Sequence, residues 1–183
     1  DEPFNPLTLA LGAGATFIAR TIDKESKHMQ EMITESYNHK GTSFLEIYQN
    51  CNIFNDGAFS NFTDRDTKSD TVLWLKDGEP MVFGVDNNKG IRLDGNIPTV
   101  VELGDKWSKD DLLIHNKKDY MIASMLSNMT SKPDTPEPIG VLYSIDAPTY
   151  EDNIASQINS AIKNKPKSSI QDIINSGDTW VVK

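Results

Sequence analysis

The sequence predicts an α/β fold with a small antiparallel β meander and helices appended on its C-terminal side. Three observations point there. A helical stretch leads into a short run of β-forming residues, Thr42 to Gln49, which is the pattern of a buried strand in an α/β sheet. After about Phe59 the character changes: polar residues 60–70 give way to short apolar runs around Lys76-Asp77-Gly78-Glu79. Helical spacing of apolar side chains returns at Asp119–Met129 and from Thr149 onward.

Taken in order, Pro6 suits the first turn of a helix, where its missing N–H costs nothing. Leu7–Ile22 then reads as one buried helix with Ala10, Gly12, Ala13, Gly14 and Ala15 along a small-residue side. The apolar run Leu7–Ala19 is about a third too short to cross a bilayer. Asp23 is placed to cap a second helix that buries Met29, Met32, Ile33 and Tyr37 and ends near Gly41. The strand Thr42–Gln49 follows, with Cys51 just past its end, where ligands bind in open α/β sheets.

Asp77-Gly78 between Val72–Leu75 and Met81–Phe83 signals a hairpin. Ile91–Leu93 and Thr99–Leu103 add strands, giving a meander over 60–105. Asp119–Met129 is a helix with Met121, Ile122, Met125, Leu126 and Met129 at helical spacing. Pro133, Pro136 and Pro138 mark an extended linker. Ile139–Ile145 reads as a strand, and Thr149 opens a helix with Ile154, Ile158 and Ile162 on one face. Ser168 or Ser169 opens a short helix that Gly177 ends, and Trp180–Val182 reads as a terminal strand. The expected division is 1–59 for the α/β part and 60–183 for the extension. The extension comprises the meander (60–105), a helix and linker (106–138) and a strand–helix end (139–183).

The 183 residues suffice for one domain of ordinary size, or one with a small appendage. The formal net charge is −9, from 27 acidic against 18 basic residues, with no Lys/Arg stripe. A nucleic-acid binder needs cations to displace the counterions of phosphate, so this balance argues against nucleic acid and against an anionic membrane surface. One cysteine excludes an intrachain disulfide framework and suits a reducing, cytoplasmic setting. No basic-then-apolar signal sequence is present. The start at Asp1, in a Pro-Phe-Asn-Pro segment, suggests a chain cut from something longer.

Few residues carry chemistry. Gly12-Ala13-Gly14 would need a third glycine where Phe17 stands to make a dinucleotide fingerprint. Asp64, Asp66 and Asp70 lack the Gly and Glu of a calcium loop and read as surface acids. His28, His39 and His115 have no zinc-helix spacing and read as surface or helix-end residues. No Gly-x-Ser-x-Gly elbow occurs, and no catalytic acid or base is assigned. Cys51 has two readings. It is a small apolar core residue, or it is a reactive thiol or metal ligand whose partners lie in another segment or chain. No cation nearby in sequence would depress its pKa.

Two stretches carry a resemblance. Pro6-Leu-Thr-Leu-Ala-Leu-Gly-Ala-Gly-Ala-Thr-Phe-Ile-Ala-Arg20 and His39-Lys-Gly-Thr-Ser-Phe-Leu-Glu-Ile-Tyr-Gln-Asn-Cys-Asn-Ile-Phe-Asn-Asp-Gly57 resemble β subunits of 2-oxoacid:ferredoxin oxidoreductases, most of all the 2-oxoglutarate enzymes. Leu112–His115, Pro138–Val141 and Gly177–Trp180 look like the carboxy-terminal extension of those subunits. The resemblance implies part of a thiamine-diphosphate-binding α/β domain. It implies an enzyme that oxidatively decarboxylates a 2-oxoacid, makes acyl-coenzyme A and sends electrons to ferredoxin, with an α subunit as partner. Pyruvate and branched-chain relatives share the architecture. The family's β subunit holds thiamine diphosphate through Mg²⁺ and one [4Fe–4S] cluster on four cysteines. The Gln-x-Cys segment, here Gln49-Asn50-Cys51, makes Cys51 the fourth ligand. The chain has no Cys-x-x-Cys and no Gly-Asp-Gly followed by the Mg²⁺-binding Asn. The resemblance places those upstream of Asp1, so this chain alone is expected to bind neither cofactor nor cluster and to be inactive. A role as a non-catalytic assembly module, docking a partner subunit through residues 60–130, is the alternative; changes in the Trp74 hairpin would then disrupt subunit association.

Overall fold

The computed structural model describes residues 4–129, 132, 134–164 and 169–182. Helix α1 (Pro6–Gly12) starts as expected, with Pro6 in its first turn and the Asn5 side chain accepting the Thr8 N–H at 3.1 Å. It is short, however. Gly14 turns the chain at φ +86°, and strand β1 (Phe17–Ile22) follows with all six residues buried. The helix expected over Leu7–Ile22 is therefore a helix and a strand. A strand buried on both faces shows no alternation, so an apolar run of this length does not separate helix from strand by periodicity. Phe17, Ile18, Thr21 and Ile22 carry the β preference.

Helix α2 (Ser26–Asn38) has Glu25 rather than Asp23 at its N-cap position, with no side-chain capping bond. The Asp23 carboxylate is occupied elsewhere, accepting the Asn50 N–H at 3.3 Å. Of the face expected to be buried, Met32 is in the core, while Ile33 and Tyr37 are exposed. Gly41 lies two residues beyond the C-cap, His39. Strand β2 (Ser43–Tyr48) runs parallel to β1, with Phe17 opposite Ser43 and Ile22 opposite Tyr48.

Residues 60–71 form two short helices, α3 (Ser60–Thr63) and α4 (Arg65–Thr71), where the meander was expected to begin. Strand β3 (Val72–Trp74) then joins the main sheet, whose order is β2, β1, the later strand β7 (Glu137–Ser144) and β3. Lys76–Glu79 does turn, the Glu79 N–H donating to Lys76 O at 3.1 Å. Yet it carries the chain from the main sheet to a second one instead of closing a hairpin. β4 (Val82–Phe83) pairs not with β3 but with β5 (Lys89–Asp94), which pairs in turn with β6 (Ile97–Glu102).

Asp119 caps α5 (Tyr120–Ser127) by accepting the N–H groups of Met121 and Ile122. Ala123, Leu126 and Met129 enter the core, and Met121 stays exposed. Pro138 belongs to strand β7 (Glu137–Ser144) rather than to a linker. At Pro138 only β3 pairs with the strand, since β1 pairs from Gly140 onward; one side of the strand is an edge there, where a missing donor is tolerated. Pro133 lies outside the described residues. β7 is antiparallel to β1 and parallel to β3, so the main sheet takes strands from both sides of the expected division at 59/60. The largest core cluster joins Leu7 and Leu11 of α1, Ile18, Leu73 and Leu142 of the sheet, Phe83 and Ile91 of the second sheet, and Leu126.

Residues 148–183 form a second compact unit. In it Thr149 and Asp152 cap α6 (Tyr150–Asn164). Ser169 and Asp172 form a reciprocal cap on α7 (Ile170–Ile174), whose C-cap is Asn175, two residues before Gly177. Ser168 lies outside the described residues. Trp180–Val182 is exposed and not a strand, because a three-residue run without a neighbouring strand has nothing to pair with.

Gly140 is the glycine of the main sheet that geometry demands. Its φ is +125°, and an added Cβ would sit 3.1 Å from Leu75 Cβ and 3.2 Å from Leu75 O. Gly78 (φ +80°) faces open space. Gly140→Ala is expected to cost about 2–4 kcal/mol in urea unfolding, and Gly78→Ala only about 1 kcal/mol.

Candidate functional site

The carboxyl end of β2 and the loop after it, residues 49–57, form the candidate site. Three features fix the strand end. First, the Asp23 N–H donates to Tyr48 O at 3.0 Å, and the Asp23 carboxylate accepts from Asn50. Second, Tyr48 stacks on Phe59, ring centroids 4.4 Å apart. Third, β1 supplies Arg20, whose side chain is fully buried. Its Nε donates to Glu46 Oε2 at 2.6 Å, its Nη1 donates to Glu137 Oε1, and its guanidinium lies 4.9 Å from the Tyr48 ring centroid. The Tyr48 hydroxyl donates to the same Glu137 oxygen at 2.9 Å. Burial pushes the Tyr48 phenol above its ordinary pKa, the Glu137 and Glu46 carboxylates add to this, and Arg20 opposes it.

Beyond Tyr48 the chain folds back on itself. Cys51 and Asn55 form an isolated bridge, the Asn55 N–H donating to Cys51 O at 3.0 Å. Cys51 is half-exposed and its thiol is free. The neighbouring backbone N–H groups of Phe54 and Ile53, and less so of Asn55, lower its pKa, while burial opposes them. Amide donors favour the thiolate as a nearby cation would. The sequence around Cys51 offers no cation, and it carries no sign of these amides. Ile53 and Phe54 are themselves exposed, at 82% and 89%.

The other singled-out residues do not converge here. His28 and His115 line a cleft of about 390 Å³ with Trp74, Lys76, Asp77 and Lys117. The expectation that each histidine is a surface or helix-end residue fails for His115, which is 1% exposed and outside any helix. Its Nε2–H donates to Val141 O at 2.8 Å, and Nδ1 has no partner among the described residues. His28 meets Thr21 Oγ1 at 2.8 Å and the Trp74 ring edge-on. His39 meets Thr16 Oγ1 at 2.9 Å. Trp74 is half-buried and packs against the cluster of Ile22, Tyr48, Val72 and Ile139. Asp64 and Asp70 pair with Lys24 and Lys89. Among the described residues no group of three or more His, Cys, Asp or Glu could hold a metal ion, and no helix is long and apolar enough to cross a membrane.

The triad of buried Arg20 with Glu46 and Glu137 is the feature that sequence reading missed. Its signal is an arginine in the middle of Phe-Ile-Ala-Arg-Thr-Ile, a run otherwise suited to burial.

No protein-family profile matches the chain. The chain is similar to the 2-oxoglutarate oxidoreductase subunit KorB of Mycobacterium tuberculosis, 32% identical over all of this chain and 49% of that protein. It is similar also to the 2-oxoacid:ferredoxin oxidoreductase subunit beta of Saccharolobus solfataricus, 26% identical over 91% of this chain and 44% of that one. It thus spans about half the length of the curated relatives it matches. Among solved structures it resembles a 2-oxoglutarate:ferredoxin oxidoreductase from Magnetococcus marinus with 2-oxoglutarate, coenzyme A and succinyl-CoA bound. The TM-score is 0.62 and the match covers 98% of this chain and 46% of that chain; at 21% identity the likeness shows a shared fold.

Two outcomes are expected. Arg20→Met removes the guanidinium between two carboxylates and should cost about 3–5 kcal/mol in chemical unfolding; adding Glu137→Gln should recover part of that loss. His115 is held below its ordinary value of 6.5, chiefly by burial. The folded chain then binds fewer protons than the unfolded chain just below that value, so stability is full above pH 6.5 and falls as pH drops beneath it. Burial lowers His28 and His39 as well, with the same sign. The urea midpoint should be lower at pH 5 than at pH 7.5, and His115→Gln should reduce the difference.

Proposed function

The chain is a homologue, over its own length, of the β subunits of 2-oxoacid:ferredoxin oxidoreductases, and from this premise we propose that it is part of such a subunit, of the 2-oxoglutarate type, in which Cys51 is one of four cysteine ligands to a [4Fe–4S] cluster. The observation that carries this reading is the placement of the one cysteine. It stands half-exposed just past the carboxyl end of a parallel strand, beside backbone amides that lower its pKa and so favour the thiolate. Thiolate is the form that ligates iron, and hydrogen bonds to sulfur tune such clusters.

The donors present fit that group in part. One half-exposed thiol beside backbone amides suits one corner of a cluster, and the other three thiolates would come from outside these residues. Nothing here fits Mg²⁺ and thiamine diphosphate, since the chain has no Gly-Asp-Gly segment followed by Asn and no clustered ligands among its described residues. Those cofactors would be held elsewhere in the subunit, where the thiamine supplies the electron sink for decarboxylation.

In this reading the whole enzyme oxidatively decarboxylates a 2-oxoacid, transfers the acyl group to coenzyme A and passes electrons to ferredoxin, in the cytoplasm and together with an α subunit. The chain's own share is structural and electrostatic. The Arg20 network holds the end of β2, and the following loop presents Cys51. The name of the Mycobacterium tuberculosis relative supports 2-oxoglutarate over pyruvate or branched-chain 2-oxoacids.

The test uses the complete subunit purified with its partner. Cys51→Ala should abolish the electron paramagnetic resonance signal of the reduced cluster and lower the bound iron, while bound thiamine diphosphate is retained. This chain expressed alone should show no 2-oxoglutarate-dependent ferredoxin reduction. A Cys51→Ala subunit with the full signal would overturn the reading.

A further inference from the structure

Resting on that reading of Cys51, we infer that Asn50 is a positioning residue for the cluster ligand beside it. Its carboxamide does what no other side chain in the loop does: it ties the start of the loop to its middle and to its end. Nδ2 donates to Asn52 Oδ1 at 2.7 Å and to Asp56 Oδ1 at 2.9 Å. Oδ1 accepts the Gly57 N–H at 2.8 Å. Its backbone N–H is anchored on the Asp23 carboxylate, beyond the end of β1. Both side-chain donors and the acceptor oxygen are therefore engaged, and a single residue joins the strand layer to both limbs of the turn that carries Cys51.

The alternatives for holding this loop are weak. Ile53 and Phe54 at its tip are exposed, so apolar packing within the chain does not fix them. The Cys51–Asn55 bridge is isolated and ties only the inner part of the turn. A carboxamide is the fitting group at position 50 because it offers donors and an acceptor on one planar end. Alanine supplies neither, and aspartate would put its carboxylate against Asp56. The prediction specific to this geometry is a reciprocal exchange, Asn50→Asp together with Asp56→Asn. The new carboxamide at position 56 would donate to the new carboxylate at position 50. That carboxylate would still accept the Gly57 N–H, and the Asn52 amide can turn to donate to it.

The experiment compares four complete subunits, each purified with its partner: Asn50→Ala, Asn50→Asp, the Asn50→Asp/Asp56→Asn double variant, and Cys51→Ala as the control on the underlying reading. Iron per subunit, the resonance line shape of the reduced cluster and the melting temperature are measured. Asn50→Ala and Asn50→Asp should lower bound iron at least twofold or shift the line shape, with the melting temperature little changed, and the double variant should restore the wild-type signal. Wild-type iron and line shape in both single variants, with the signal lost in Cys51→Ala, would overturn the role of Asn50 alone. An unchanged signal in Cys51→Ala would overturn the ligand reading and this inference with it. Failure of the double variant to restore a signal lost in the single ones would also count against the hydrogen-bond geometry.

Discussion

The buried guanidinium of Arg20 is the interaction on which the rest of this structure depends. A fully buried cation is costly unless charged and hydrogen-bonded partners surround it. Here the partners come from the two strands that flank β1: Glu46 from β2 and Glu137 from β7. Tyr48 adds its ring to Arg20 and its hydroxyl to Glu137. The central strand can bury Arg20 only in a register that brings all three within reach. A slip of one residue would turn Arg20 to the other face and leave charges uncompensated on both. The network therefore specifies the order and register of β2, β1 and β7 more sharply than their apolar residues, many of which are interchangeable in shape.

That constraint reaches the candidate site through Tyr48. The residue closes β2, belongs to the Arg20 network and stacks on Phe59, so the chain leaves the sheet at a fixed point. Asp23 holds Asn50 from the end of β1, and Asn50 shapes the loop that follows. Cys51 is thus half-exposed without being loosely held. A half-exposed thiol on a restrained loop is suited to ligating a group shared with another part of the protein, whereas a core cysteine would have been buried among apolar side chains.

Strand β2, the helix Asp119–Met129 and the strands at Ile91 and Thr99 were legible in the sequence because each shows one period bounded by turn residues. β1 was not: complete burial erased its alternation, and the small residues before it imitated a helix face. Asp77-Gly78 announced a turn correctly, but turn chemistry does not say which sheet receives the next strand, and β3 pairs with β7, which lies far along the chain beyond the whole second sheet. Within the site, Cys51 was legible as a lone cysteine after a strand. The amides that lower its pKa were not, since backbone N–H groups carry no mark in a sequence. The Arg20 triad was hidden for a related reason: its members are separated by 26 and 117 residues, and only the fold brings them together.

The most direct measurement is iron anomalous scattering from crystals of the complete β subunit with its partner, asking what Cys51 Sγ touches. An iron atom bonded to that sulfur, with three further cysteine ligands from residues outside this chain, is the expected result. A cluster held by four other ligands, with Cys51 Sγ away from iron, would contradict the assignment and leave Arg20 and Asn50 as parts of the scaffold alone.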